Sequence, residues 1–315
     1  MKPARRQSLL AALAVLTLGM AGVESLAQTP QPWGSVVVYQ PLVRDAGVNS
    51  AQWQQIWAQT RAHGFSTVLV QWTAYGDERF GAESNPAGSP STTPSWLWQA
   101  LQQAQRQGLD LVVGLAADPH YFQLVQRPGW QASFSDDWLS LQRQSLAQQQ
   151  RLQPLLQRLG LAVKGWYLPA ELSDRLFGDR GRRESTLTQL VDLAARLDRP
   201  LHVSAYSTGQ LTPAANASWL LQLQQAGLVV WWQDGQGTAE LPALVRQAYA
   251  TALPCPVGVI REAFRELSTP PAPFVAVPAV PQPPLPCHPN AVFALQYLPW
   301  AGALRPSPPA SGAGS

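Results

Sequence analysis

Apolar positions along the chain follow two alternating rhythms. Short runs of β-branched and aromatic residues are followed by Gln-, Leu- and Ala-rich stretches whose apolar residues recur at helical spacing. The runs at 35–41, 66–73, 109–119, 163–172, 201–207, 228–235, 256–264 and 291–299 read as strands. The stretches 51–64, 95–108, 136–159, 185–197, 216–227 and 240–252 read as helices, the first three closed by Gly64, Gly108 and Gly160.

The strands are nearly continuous apolar runs, as in parallel sheets covered on both faces. Strict alternation with helices predicts an α/β protein. Eight units within residues 28–304 predict a single-domain (β/α)8 TIM barrel. A doubly wound sheet would carry a glycine-rich phosphate turn after its first strand, and "YQPLVRDAG" has none. The place of the seventh helix falls to "STPPAPFVAVPAVPQPPLPCHP" (268–289), where proline forbids a helix and predicts a Pro-rich loop. The Pro-, Ser- and Gly-rich tail, 305–315, is expected to be disordered.

Residues 1–27 have the build of a secretory signal peptide: Lys2, Arg5 and Arg6, an apolar run from Leu9 to Val23, then small residues at Ser25 and Ala27. That run is short for a membrane span, and every later apolar run is interrupted. The expectation is a mature chain without a span, periplasmic or secreted. The leader carries three cationic residues and one acid, so its removal takes the net charge from +3 to +1. Lys164 is then the only lysine, and no basic stripe invites nucleic acid. The two cysteines, Cys255 and Cys287, are expected to pair in an oxidising compartment. Oligomeric state is left open.

Active sites of such barrels lie at the C-terminal ends of the strands. There the sequence offers Gln40, Arg44 and Asp45, then Gln71, Trp72, Tyr75 and Asp77. Next come Asp118, His120 and Tyr121, and on later strands Tyr167, Glu171 and Tyr206. The last three strands add Trp232, Gln233 and Asp234, then Arg261 and Glu262, then Gln296, Tyr297 and Trp300. Three acids, Glu171, Asp234 and Glu262, end otherwise apolar strands; a charge there is costly unless solvated, paired or used. Glycosidic cleavage commonly uses two carboxylates, one protonated and one ionised. The same rim is aromatic, and Trp or Tyr can stack on a sugar ring while hydrogen-bonding its edge. The expected catalytic residues are Glu171 with Glu262 or Asp234. The expected substrate-binding residues are Gln71, Trp72, Tyr167, Tyr206, Trp232, Gln233 and Trp300. Alternation along the sixth strand is read with Trp231 toward the helices and Trp232 in the lumen, in phase with Asp234. Each acid could instead cap a helix or pair with arginine. His63, His120, His202 and His288 lack metal-ligand spacing, so no metal or other cofactor is expected. The absence of a G-x-S-x-G elbow disfavours a serine esterase.

Five segments carry a family resemblance: "VYQPLVRD", "GFSTVLVQWT", "GWYLPAEL", "WWQDGQG" and "REAF". Over Val36 to Trp300 the chain resembles the bacterial domain of unknown function numbered 4434, regarded as a glycoside-hydrolase-like TIM barrel. The resemblance implies site positions at Glu171, Gln233, Asp234, Gly235, Gly237 and Glu262. Glycosidase barrels with acids on strands four and seven usually place asparagine before the strand-four glutamate; Ala170 stands there here. The expected function is hydrolysis of a polysaccharide or oligosaccharide. The alternatives are a non-catalytic glycan-binding barrel assisting exopolysaccharide processing or secretion, and a scaffold whose Pro-rich segments dock a partner.

Overall fold

The computed structural model describes residues 33–80, 95–124, 127–268, 272 and 274–305. The leader at 1–27 and the tail beyond Arg305 lie outside them. Eight strands close into a barrel: β1 (Val36–Tyr39), β2 (Thr67–Val70), β3 (Asp110–Gly114), β4 (Val163–Ser173), β5 (Leu201–Tyr206), β6 (Val229–Gln233), β7 (Gly258–Glu262) and β8 (Asn290–Phe293). Neighbours follow chain order, every pair is parallel, and β8 closes on β1. This is the (β/α)8 barrel that the alternation predicts.

The continuous apolar runs serve two faces at once. Val36, Val38, Leu69, Val112, Tyr167, Trp231, Ile260 and Ala291 fill the lumen. Their neighbours, among them Val37, Tyr39, Val68, Val70, Val230 and Val259, point out into the larger core shared with the helices. Successive strand residues point to opposite faces, so "VVVY" is buried throughout.

Helices α1 (Ser50–Ala62), α2 (Trp96–Arg106), α3 (Trp130–Arg158), α4 (Arg180–Ala195), α5 (Pro213–Gln225) and α6 (Ala243–Ala252) follow β1 to β6. Side chains open three of them: Asn49 accepts from the Gln52 N–H, Asp179 from Arg182 and Thr212 from Ala215. Helices α3 and α4 start five or more residues earlier than the pattern suggests. In α3, Trp130 meets Phe134 edge to face and Phe134 stacks on Trp138, all at i, i+4 spacing, and these contacts extend the helix back from 136. In α4 the Asp179 cap sets the start at Arg180 rather than 185.

Among the described residues no helix follows β7. A short antiparallel ribbon (Phe264–Glu266 with Ala276–Pro278) and a Pro-rich loop stand in its place. The Cys255–Cys287 disulfide, with Cα atoms 5.2 Å apart, ties this loop to the end of the chain segment after α6. The last strand stops at Phe293, well short of 299, and two 3-10 turns (Leu295–Tyr297 and Pro299–Leu304) follow. No described helix is long and apolar enough to cross a membrane.

One irregularity positions the site. Between β4 and β5, Tyr167 pairs with His202 and Glu171 with Ser204, so four steps on β4 match two on β5. Pro169 sits within this bulge, where its missing N–H costs no ladder bond.

Candidate active site

The bulge of β4 delivers Glu171 to the mouth of the barrel, half-buried over the lumen residue Tyr167. Its Oε1 accepts from the Gln233 amide at 3.3 Å, and Gln233 Nε2 also lies 3.4 Å from the Ser204 hydroxyl. Tyr167 Oη and Ser204 Oγ share a 2.8 Å hydrogen bond beneath them. The Glu171 backbone carbonyl accepts from the Tyr121 hydroxyl at 3.2 Å. Burial raises the Glu171 carboxyl above the usual carboxylate range, and the Gln233 amide opposes that shift.

Glu262 ends β7 with 3% of its surface exposed. Its Oε2 accepts the backbone N–H of Gly237 at 2.5 Å and of Thr238 at 3.4 Å. Burial, then the charge of Asp234, push its carboxyl up to about 8, against those two N–H donors. The charge of Glu171 makes the smallest contribution to the rise. Gly237 is glycine for a spatial reason: a Cβ there would stand 2.6 Å from the Phe264 ring.

Beside Glu171 opens a cleft of 140 Å³ lined by Tyr121, Ser173, Arg175, Tyr206, Thr208 and Glu240. Tyr206 shares a hydrogen bond with Thr238 at 2.9 Å and donates to Glu240 at 3.3 Å, while Arg175 pairs with Glu240 at 2.7 Å. Asp174 locks the cleft wall, accepting from Thr208 N and Oγ1, Gln210 N and Leu211 N at 2.6–3.0 Å. Gln71 and Gln296 are buried near the β2 and β8 ends, each with an Oε1 lacking a hydrogen-bond partner; Gln296 also donates to Gln40 at 3.2 Å.

The structure therefore brings Glu171, Glu262, Gln233, Tyr167 and Tyr206 together, and moves four other expected residues elsewhere. On β6 the phase is opposite to the sequence reading. Trp231 fills the lumen beside His202, and Trp232 is 2% exposed against the helices, its indole donating to Ser207 at 3.0 Å. Asp234 follows Trp232 outward and lines a cavity against α6. Its Oδ1 ties the N–H groups of Gln236 and Glu262 at 3.1 and 3.2 Å. Trp300 packs with Trp33, His63 and Phe65, all near the strand starts, and donates to Thr60 at 2.9 Å, because the shortened β8 lets the chain turn back down. Trp72 is buried and bonded to the Pro41 carbonyl at 3.1 Å, so its ring packs the core rather than offering a stacking face. Ala170 also packs outward in the core.

Ser204, Arg175 and Glu240 belong to the site although the sequence reading passed over them. Parity with His202 and Tyr206 on β5 could have found Ser204; nothing in the sequence marks the Arg175–Glu240 pair. Among the described residues no group of His, Cys, Asp and Glu could hold a metal ion.

Comparisons with known proteins complete the picture. The uncharacterized protein YbcH of Escherichia coli K12 is 29% identical over 284 residues, covering 85% of this chain and 91% of that one. Among solved structures, a candidate α-L-fucosidase from Bacteroides thetaiotaomicron is similar at TM-score 0.47 and 13% identity, covering 84% of each chain. The GH113 β-mannanase AaManA from Alicyclobacillus acidocaldarius is similar at TM-score 0.45 and 10% identity, covering 89% of this chain and 90% of that one. The model of the domain of unknown function DUF4434 matches residues 35–265, most of the barrel, and the chain belongs to that family.

Proposed function

We propose that the protein hydrolyses a glycosidic bond in an oligosaccharide or polysaccharide, with Glu171 and Glu262 as its paired carboxylates. The observation that carries this is their placement: two glutamates at the C-terminal ends of β4 and β7, both held by hydrogen bonds and both raised by burial. In the reactive state the proton sits on Glu171, and Glu262, raised to about 8 but taking two backbone N–H donors, has ionised, so activity should rise as pH approaches 8. Glu171 then protonates the leaving oxygen, and ionised Glu262 stabilises or attacks the anomeric carbon. Gln233 orients the Glu171 carboxyl, and Tyr206 with the Arg175–Glu240 pair lines the space for a sugar ring. Asp234 acts through the backbone, fixing the ends of β6 and β7 so that Glu262 is presented.

We place this reaction outside the cytoplasm. The leader at 1–27 supports export, and the Cys255–Cys287 bond fits an oxidising compartment, periplasmic or secreted. The experiment is hydrolysis of a panel of bacterial glycans followed by proton NMR. Sugar release that depends on Glu171 supports the reading, and the anomer first formed shows whether Glu262 acts as a nucleophile. Glycan binding without release would instead favour the non-catalytic barrel.

A further inference from the structure

A cavity of 510 Å³ lies on the outer side of β6 and β7, walled by α6 and by the Pro-rich loop at 282–285. Its wall joins apolar surface from Trp232, Val259 and Pro283 to planar polar groups from Asp234, Arg246 and Arg261. Several of those groups are unsatisfied. Arg261 is 2% exposed and donates through Nη1 to the Gln282 carbonyl, but its Nε and Nη2 have no partner. Asp234 Oδ2 and the Oε1 of Gln236, which also lines the cavity, have none either. Buried polar atoms without partners are rare, and a cluster of them on one cavity wall calls for an occupant.

The unsatisfied set contains both donors and acceptors, and this selects the ligand. An anion would suit Arg261 but would meet the Asp234 carboxylate and leave two acceptors unpaired. A cation would leave the guanidinium unpaired. Hydroxyl groups both donate and accept, so a polyhydroxylated neutral molecule is the class that matches a mixed set of donors and acceptors. Its C–H faces would lie against the more exposed Pro283, Pro284 and Leu285 of the loop. We propose that this cavity is a second carbohydrate site, for a neutral mono- or disaccharide, separate from the barrel mouth. Occupancy is transmitted to Glu262, since Asp234 binds the Glu262 N–H through its other oxygen.

The indole N–H of Trp232, whose signal is assigned with Trp232→Phe, reports on this wall by NMR. The purified protein is titrated with glucose, mannose, galactose, their β-1,4-linked disaccharides and inorganic phosphate. At least one sugar should shift that signal saturably. Ala243→Trp, an exposed helical position at the cavity rim, and Arg246→Ala should each weaken binding by about tenfold or more. Glu171→Gln should leave it unchanged, which separates this site from the mouth. No shift with any sugar, a shift with phosphate alone, a shift surviving both cavity variants, or one lost in Glu171→Gln would each overturn the proposal.

Discussion

A glutamate at the end of an apolar strand is useful only if its proton can be controlled. Gln233 supplies part of that control. Its amide favours the ionised form of Glu171, so Gln233→Met should raise the Glu171 carboxyl further and move the alkaline limb of kcat/KM to higher pH. An unchanged limb would mean that Gln233 does not set this titration. Asp174 shows the structural use of an acid nearby. It is 1% exposed and accepts four hydrogen bonds from the loop after β5. Asp174→Ala strands three backbone N–H groups and should cost about 3 kcal/mol or more in urea unfolding. The sequence displays both acids alike, "ELSD"; which is used and which is bonded depends on the loop from another strand.

At the scale of elements, strands and helices were legible because each has its own period, but the phase of a strand was not. "VVWWQD" accommodates either assignment of faces, and a shift of one residue exchanges every side chain between lumen and helical layer. Anchoring the phase on Asp234 sent Trp232 inward; the true anchor is Gln233, which meets Glu171. The end of β8 was illegible for a related reason, since "ALQYLP" remains apolar after the pairing stops and misplaces Trp300. By contrast, the Pro-rich loop in place of the seventh helix followed directly from proline chemistry. With no helix to hold it, this loop relies on the Cys255–Cys287 bond across a separation of 32 residues. Cys255→Ser with Cys287→Ser should destabilise the fold by about 2–4 kcal/mol and lower Tm under non-reducing conditions only.

Over the whole molecule, the barrel buries an acid that it would bind more cheaply as its neutral form. Glu262 lies near 4.5 when the chain is unfolded and is pushed up to about 8 in the fold. The native state therefore holds that proton more tightly. The stability linked to Glu262 is full below pH 4.5, declines as pH rises toward 8 and is gone above it. Glu262→Gln should remove this decline, so that its Tm exceeds that of the wild type at pH 8 while activity is lost. Parallel Tm profiles in the two proteins would contradict the burial account. The barrel itself, its eight parallel strands and its mouth follow from sequence period alone, whereas the pairing of Glu171 with Glu262 required closure of strands far apart in the chain. That pairing is the central claim, and reducing-end release from bacterial exopolysaccharides tests it most directly. Wild-type protein should release sugar, and Glu171→Gln should lose about 10²–10⁴-fold of that rate while still binding glycan. Equal release by both proteins would contradict the account.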